Sequence, residues 1–104
     1  MTKYLVLYRA QVSAAEQMAS STPEAAQAGM EAWMAWGDRA GSAVVDMGSP
    51  VQSVSGNGGG DQIAGYAIMQ ADSREALQKI LEGHPHTEWG GTIEILEFLS
   101  LPGA

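Results

Sequence analysis

The order of elements read from this sequence, β-α-β-β-α-β, predicts an α+β fold in which a four-stranded antiparallel sheet carries two helices on one face. Three observations lead to it. YLVLYR (4–9) and TIEILEFL (92–99) are short runs of aliphatic and aromatic residues of the kind that form strands. Stretches 23–40 and 72–83 space their apolar residues three and four apart, the helical period. Between these helices lie two more apolar runs, 42–50 and 62–71, separated by the turn-rich VQSVSGNGGGD (51–61).

Each element has its own signals. In YLVLYR the rows Tyr4, Val6, Tyr8 and Leu5, Leu7, Arg9 are both largely apolar, which predicts cover on both faces. Residues 10–22 read as a loop with a short helical turn. SSTPE (20–24) opens a helix: a hydroxyl caps free N–H groups, Pro23 suits the first position and Glu24 faces the positive helix end. This helix runs to about Ala40, with Gly41 as its stop and Met30, Trp33, Met34 and Gly37 as its buried stripe, Trp36 lying at the edge. SAVVDMGSP (42–50) is the second strand and QIAGYAIMQA (62–71) the third, weakened by Gly65. In the helix DSREALQKILEG, Asp72 and Glu75 have capping-box spacing, Ala76, Leu77, Ile80 and Leu81 form the stripe, and Gly83 ends it. The whole is the ferredoxin-like arrangement, one domain over 1–104. The apolar character of Tyr4, Val6, Tyr8 and Ile68 predicts that the helix-free sheet face is covered by a second copy of the chain, giving a homodimer.

Composition removes whole classes of function. Lys+Arg number 5 against Asp+Glu 12, a net charge of −7, with no basic run. Phosphate backbones and anionic membrane surfaces both need clustered Lys and Arg, so neither nucleic acid nor a membrane is expected as a partner. With no cysteine, disulfides, zinc–thiolate sites and thiol catalysis are excluded, and a reducing cytoplasm fits. No apolar run approaches the roughly 20 residues of a membrane span. The start, MTKYLVLYRAQ, is too short for a signal peptide and reads as a strand.

The segments YLVLYR, WMAWG, GSAVVDMGSP, IAGYAIMQADSREALQKILEGHPH and IEILEF together resemble the YCII-related proteins, also called DGPF-domain proteins, over nearly the whole chain. The resemblance implies a dimeric α+β barrel with a cleft between sheet and helices, in a family whose biochemical roles are mostly unassigned. Some members carry a His–Asp pair with the histidine on the first helix. Here residues 23–40 hold no histidine, and the middle connector reads GNGGGD where a literal DGPF is absent. Activities tied to those motifs therefore do not carry over.

Chemistry concentrates in EGHPHTEWGG (82–91), which holds both histidines of the chain. Gly83 and Pro85 stop a helix there, and a residue before proline avoids the helical region. An extended run would place His84, His86 and Glu88 on one face. Three readings stand open. The histidines can complement a helix terminus. They can be acid–base groups, with His84 and Asp46 as the catalytic pair, because Asp46 is out of pattern inside AVVDMG; an edge-strand aspartate pointing to water is the alternative. Or His84, His86 and Glu88 can bind a metal, although H-x-H-x-E is not a specific signature, and no metal or other cofactor is expected. His86, Tyr66, Trp36 and Trp89 are the expected substrate-binding side chains, with Trp33, Tyr4 and Tyr8 as further aromatic candidates. GNGGGD lacks the GK[ST] of a phosphate loop and is read as a connector or lid. Two functions follow: a cytoplasmic cofactor-independent enzyme acting on a small organic ligand by His/Asp acid–base chemistry, or a non-catalytic dimeric module that binds a ligand or a partner protein.

Overall fold

A computed structural model describes residues 1–55 and 61–102. The glycine-rich stretch 56–60, read above as a connector or lid, lies outside the described residues. The elements are β1 (Thr2–Ala10), α1 (Ala14–Ser20), α2 (Pro23–Ala40), a 3-10 turn (Gly41–Ala43), β2 (Val44–Asp46), β3 (Gln62–Ala71), α3 (Arg74–Leu81), α4 (Pro85–Glu88) and β4 (Thr92–Glu97). The strands form one antiparallel sheet in the order β2-β3-β1-β4, the ferredoxin-like order expected. β1 is central, pairing Val6 with Ala67 on one side and Ile95 on the other.

The helix starts follow local hydrogen-bonding rules. Thr22 Oγ1 accepts from Ala25 N–H at 3.1 Å and Pro23 occupies the first turn of α2, which Gly41 ends with φ of 57°. Ser13 caps α1, a true seven-residue helix where a loop with one turn was expected. Ser73 caps α3 by accepting from Ala76 N–H, so the cap falls one residue after Asp72 and the Asp72–Glu75 box does not form.

Three expectations need correction. First, the buried stripe of α2 is Trp33, Trp36, Gly37 and Ala40; Met30 and Met34 are 64% and 56% exposed. Both stripes obey the helical period, and the one that wins sets Trp36 beside Trp33 against the sheet and turns both thioethers outward. Second, the row Tyr4, Val6, Tyr8 points into the core beneath the helices, packed with Trp36, Met69, Leu77 and Leu81. The helix-free face carries Leu5, Leu7, Tyr66, Ile68 and Leu96. Because both rows of β1 are apolar, the period-2 pattern could not tell its two faces apart. Third, β2 is only three residues long, not nine. The carboxylate of Asp46 accepts from Gly48 N–H at 2.8 Å and Gly48 has φ of 72°, a turn that interrupts pairing. The chain rejoins β3 as an isolated bridge between Pro50 and Gly65.

Candidate functional site

The site forms where β1, α2 and the segment after α3 meet. Gly83, with φ of 72°, ends the turn after α3 and delivers His84 to the interior. His84 is extended, as a residue before proline must be, with ψ of 137°. Pro85 then does a second thing the sequence did not disclose: having stopped one helix, it starts another. Its fixed φ suits the first helical position, and α4 runs from Pro85 to Glu88. The stretch 85–88 is therefore helical where an extended run was expected, and successive side chains step around the axis by about 100°. His84, His86 and Glu88 consequently do not share a face. Among the described residues no three His, Asp or Glu side chains gather closely enough to hold a metal.

His84 is fully buried, and His86 is buried beside it. The His84 imidazole is enclosed by rings. Its centroid lies 4.3 Å from Trp36, 4.5 Å edge-on to Trp33, and 4.9 Å from Tyr8 at an interplanar angle of 31°. His86 N–H donates to His84 Nδ1 at 3.0 Å. An Nδ1 that accepts carries no proton, so neutral His84 holds its proton on Nε2. Burial is the main cause that lowers the His84 pKa from 6.5 to about 4, aided by the charges of His86 and Arg39. At neutral pH this residue is an imidazole that can donate at Nε2.

His86 is tied down by its other end. Its Nε2 lies 2.7 Å from the carbonyl oxygen of Arg9, and because a carbonyl only accepts, Nε2 is the donor. Gly91 makes that seat: a Cβ there would collide with the His86 ring at Nε2. Gly91→Ala is expected to displace His86, break its bond to Arg9 and destabilise the protein by about 1–3 kcal/mol. Urea unfolding checks it, and wild-type stability in the variant contradicts this account of the seat.

Two buried polar atoms stand out. Tyr8 Oη and His84 Nε2 have no hydrogen-bond partner among the described residues. Tyr8 is 2% exposed, and burial raises its pKa, keeping the hydroxyl protonated. A buried polar group without a partner costs about 1–3 kcal/mol, so two on neighbouring rings call for a partner from outside the chain, a bound molecule or an ordered water.

The remaining candidates divide. Trp36 is 1% exposed, and its indole N–H donates to Ile80 O at 3.1 Å, so its only polar atom is engaged structurally. Trp89 sits at the rim, half exposed. Its ring meets α2 at Gly29, where an added Cβ would come within 3.3 Å of it, and its centroid is 6.1 Å from Trp33. The structure does not bring Asp46 or Tyr66 to the histidines. Asp46 is exposed on β2, engaged with Gly48, and neither bonds His84 nor figures among the charges acting on it. Its out-of-pattern place in the strand is explained by the edge position. Tyr66 pairs with Leu7 on the helix-free face, the opposite side of the sheet. Arg39 and Gly91 were not foreseen. The glycine pair after Trp89 was the only signal for the second, and an exposed arginine in the last turn of a helix gives none for the first.

The model of the YCII-related domain family matches residues 2–100. No curated protein matches the chain. Among solved structures, 5-chloro-2-hydroxyhydroquinone dehydrochlorinase (TftG) from Burkholderia phenoliruptrix AC1100, in complex with 2,5-dihydroxybenzoquinone, is similar with a TM-score of 0.53 and 20% identity, covering 88% of this chain and 90% of that one. At that identity the likeness supports the fold.

Proposed function

The chain belongs to the YCII-related family, and on that premise we propose that it binds a small organic molecule between β1 and α2, and acts on it by acid–base chemistry in which His84 and Tyr8 face the ligand. The observation that carries this reading is the pair of buried, unpartnered atoms, Tyr8 Oη and His84 Nε2. Natural proteins keep few such groups, and a catalytic or binding role is one of the reasons they are kept. His86 holds the imidazole of His84 in one tautomer, and Trp33 and Trp89 wall the approach. A dehydrochlorinase of the same fold that takes a small quinone makes a small oxygenated molecule a reasonable ligand, with no cofactor required. Asp46 has no part in this reading.

The test is direct binding of 2,5-dihydroxybenzoquinone and a panel of small carbonyl compounds, followed by the indole N–H signals of Trp33 and Trp89. We expect both to move with at least one compound, and turnover of any compound that is transformed to be lost in His84→Ala. Unmoved indoles across the panel would overturn the reading. The same proposal extends to a cytoplasmic homodimer: Leu5, Leu7, Tyr66, Ile68 and Leu96 form an apolar sheet face that a second copy would cover. Sedimentation as a stable monomer contradicts that part. Among the described residues no helix is long and apolar enough to cross a membrane.

A further inference from the structure

We infer that Tyr8 and His84 are a donor pair for one oxygen anion, so that the ligand of this site is a small conjugated oxyanion, a phenolate or an enolate. The inference rests on the reading that the site holds a small molecule and adds the chemical class of that molecule.

Both orphaned atoms are donors of the same kind. His86 N–H occupies the only lone pair of His84, leaving Nε2–H able to donate and unable to accept. The Tyr8 hydroxyl is held protonated by its surroundings and is a donor as well, on a ring whose centroid lies 4.9 Å from that of His84. An oxygen carrying excess charge accepts from two donors at once, and hydrogen bonds to a charged group contribute roughly twice what neutral ones do.

The surroundings favour negative charge. Among the described residues no carboxylate bonds either atom. Glu94 is held by Arg9 Nε at 2.7 Å, and Asp46 by Gly48. Arg39 from α2, a permanent cation, is among the groups that act on His84, in a chain of net charge −7. The walls favour a flat ligand. Tyr8, Trp33, Trp36 and Trp89 supply ring faces and edges but no ammonium or guanidinium in contact with the two donors. A compact, strongly hydrated anion such as phosphate would lose its water there with no cation to replace it, whereas a delocalised oxyanion is far less costly to desolvate. A neutral imidazole is also the better partner for such an anion: it stabilises the charge without surrendering a proton, as an imidazolium would.

The experiment uses two chromogenic probes of one shape: 4-nitrophenol, whose phenolate is yellow, and 4-nitroanisole, which cannot ionise. The wild-type protein should bind 4-nitrophenol as phenolate, with the bound probe ionising at a pH about 1 below that of the free probe. Tyr8→Phe should weaken phenolate binding about tenfold or more and leave 4-nitroanisole binding unchanged. His84→Gln, which keeps an N–H donor of similar reach, should retain part of the phenolate preference. If 4-nitroanisole binds as tightly as the phenolate and Tyr8→Phe alters neither, the two donors serve water only and the inference falls while small-molecule binding stands. If neither probe binds, both readings fall.

Discussion

Trp36→Ala is expected to destabilise the protein by about 3–5 kcal/mol, the usual range for deleting a fully buried indole. Trp36 is the largest fully buried side chain, set between the sheet and α3. The loss has three sources: apolar contact, the void left behind, and the carbonyl of Ile80, which forfeits the indole N–H at 3.1 Å. Trp36→Phe separates them. It keeps a ring in place and loses the hydrogen bond, so it should cost only about 1–3 kcal/mol. The effect reaches the site because Trp36 also covers His84 at 4.3 Å between centroids. Truncation admits water to that face of the imidazole, and the His84 pKa should climb back from about 4 toward its ordinary 6.5. Urea unfolding gives the first result and a pH titration of the His84 ring signals the second. Near-wild-type stability in Trp36→Ala would mean that the core does not depend on this ring.

Acid should unfold the protein partly through His84. Its folded pKa is about 4 and its ordinary value 6.5, the shift being chiefly one of burial. Between these limits the unfolded chain holds a proton on this residue that the folded chain does not. Stability is therefore fully present above pH 6.5 and declines as pH falls toward 4. At 1.36 kcal/mol for each pH unit, going from pH 7 to pH 4.5 should remove about 2–3 kcal/mol through this residue alone. The carboxylates also titrate in part of this range, so the comparison is with His84→Gln, in which their contribution is kept and that of His84 is gone. Unfolding free energies at pH 7 and 4.5 should diverge by about 2–3 kcal/mol between the two proteins. Parallel losses would show that His84 is not held neutral by the fold.

Much of the architecture was legible because it is written in local rules. Thr22, Pro23 and Gly41 bound α2 from adjacent residues, and the apolar run 62–71 marks β3 directly. What local rules could not supply was the choice between faces. β1 has two apolar rows, and which row meets the helices depends on partner strands and helices far along the chain. The same limit applied to α2, where two stripes of equal period competed. At the site, the rarity of His84 and His86 drew attention to the right segment, but their roles depended on Pro85, which both ends a helix and begins one. Asp46 is ambiguous in the sequence for a plain reason: an aspartate in a strand is as well explained by a turn two residues on as by a catalytic partner. Tyr8 had no special mark in the sequence, because a tyrosine on a strand is usually satisfied where it is buried. Only its unpartnered hydroxyl sets it apart.

The central claim is that His84 meets its ligand as a neutral imidazole with the proton on Nε2. Nitrogen NMR of the two imidazole nitrogens across pH reads this state directly. The account predicts a single neutral tautomer, protonated at Nε2, from pH 7 down to about pH 5. An imidazolium at pH 6, or a proton resident on Nδ1, would contradict it.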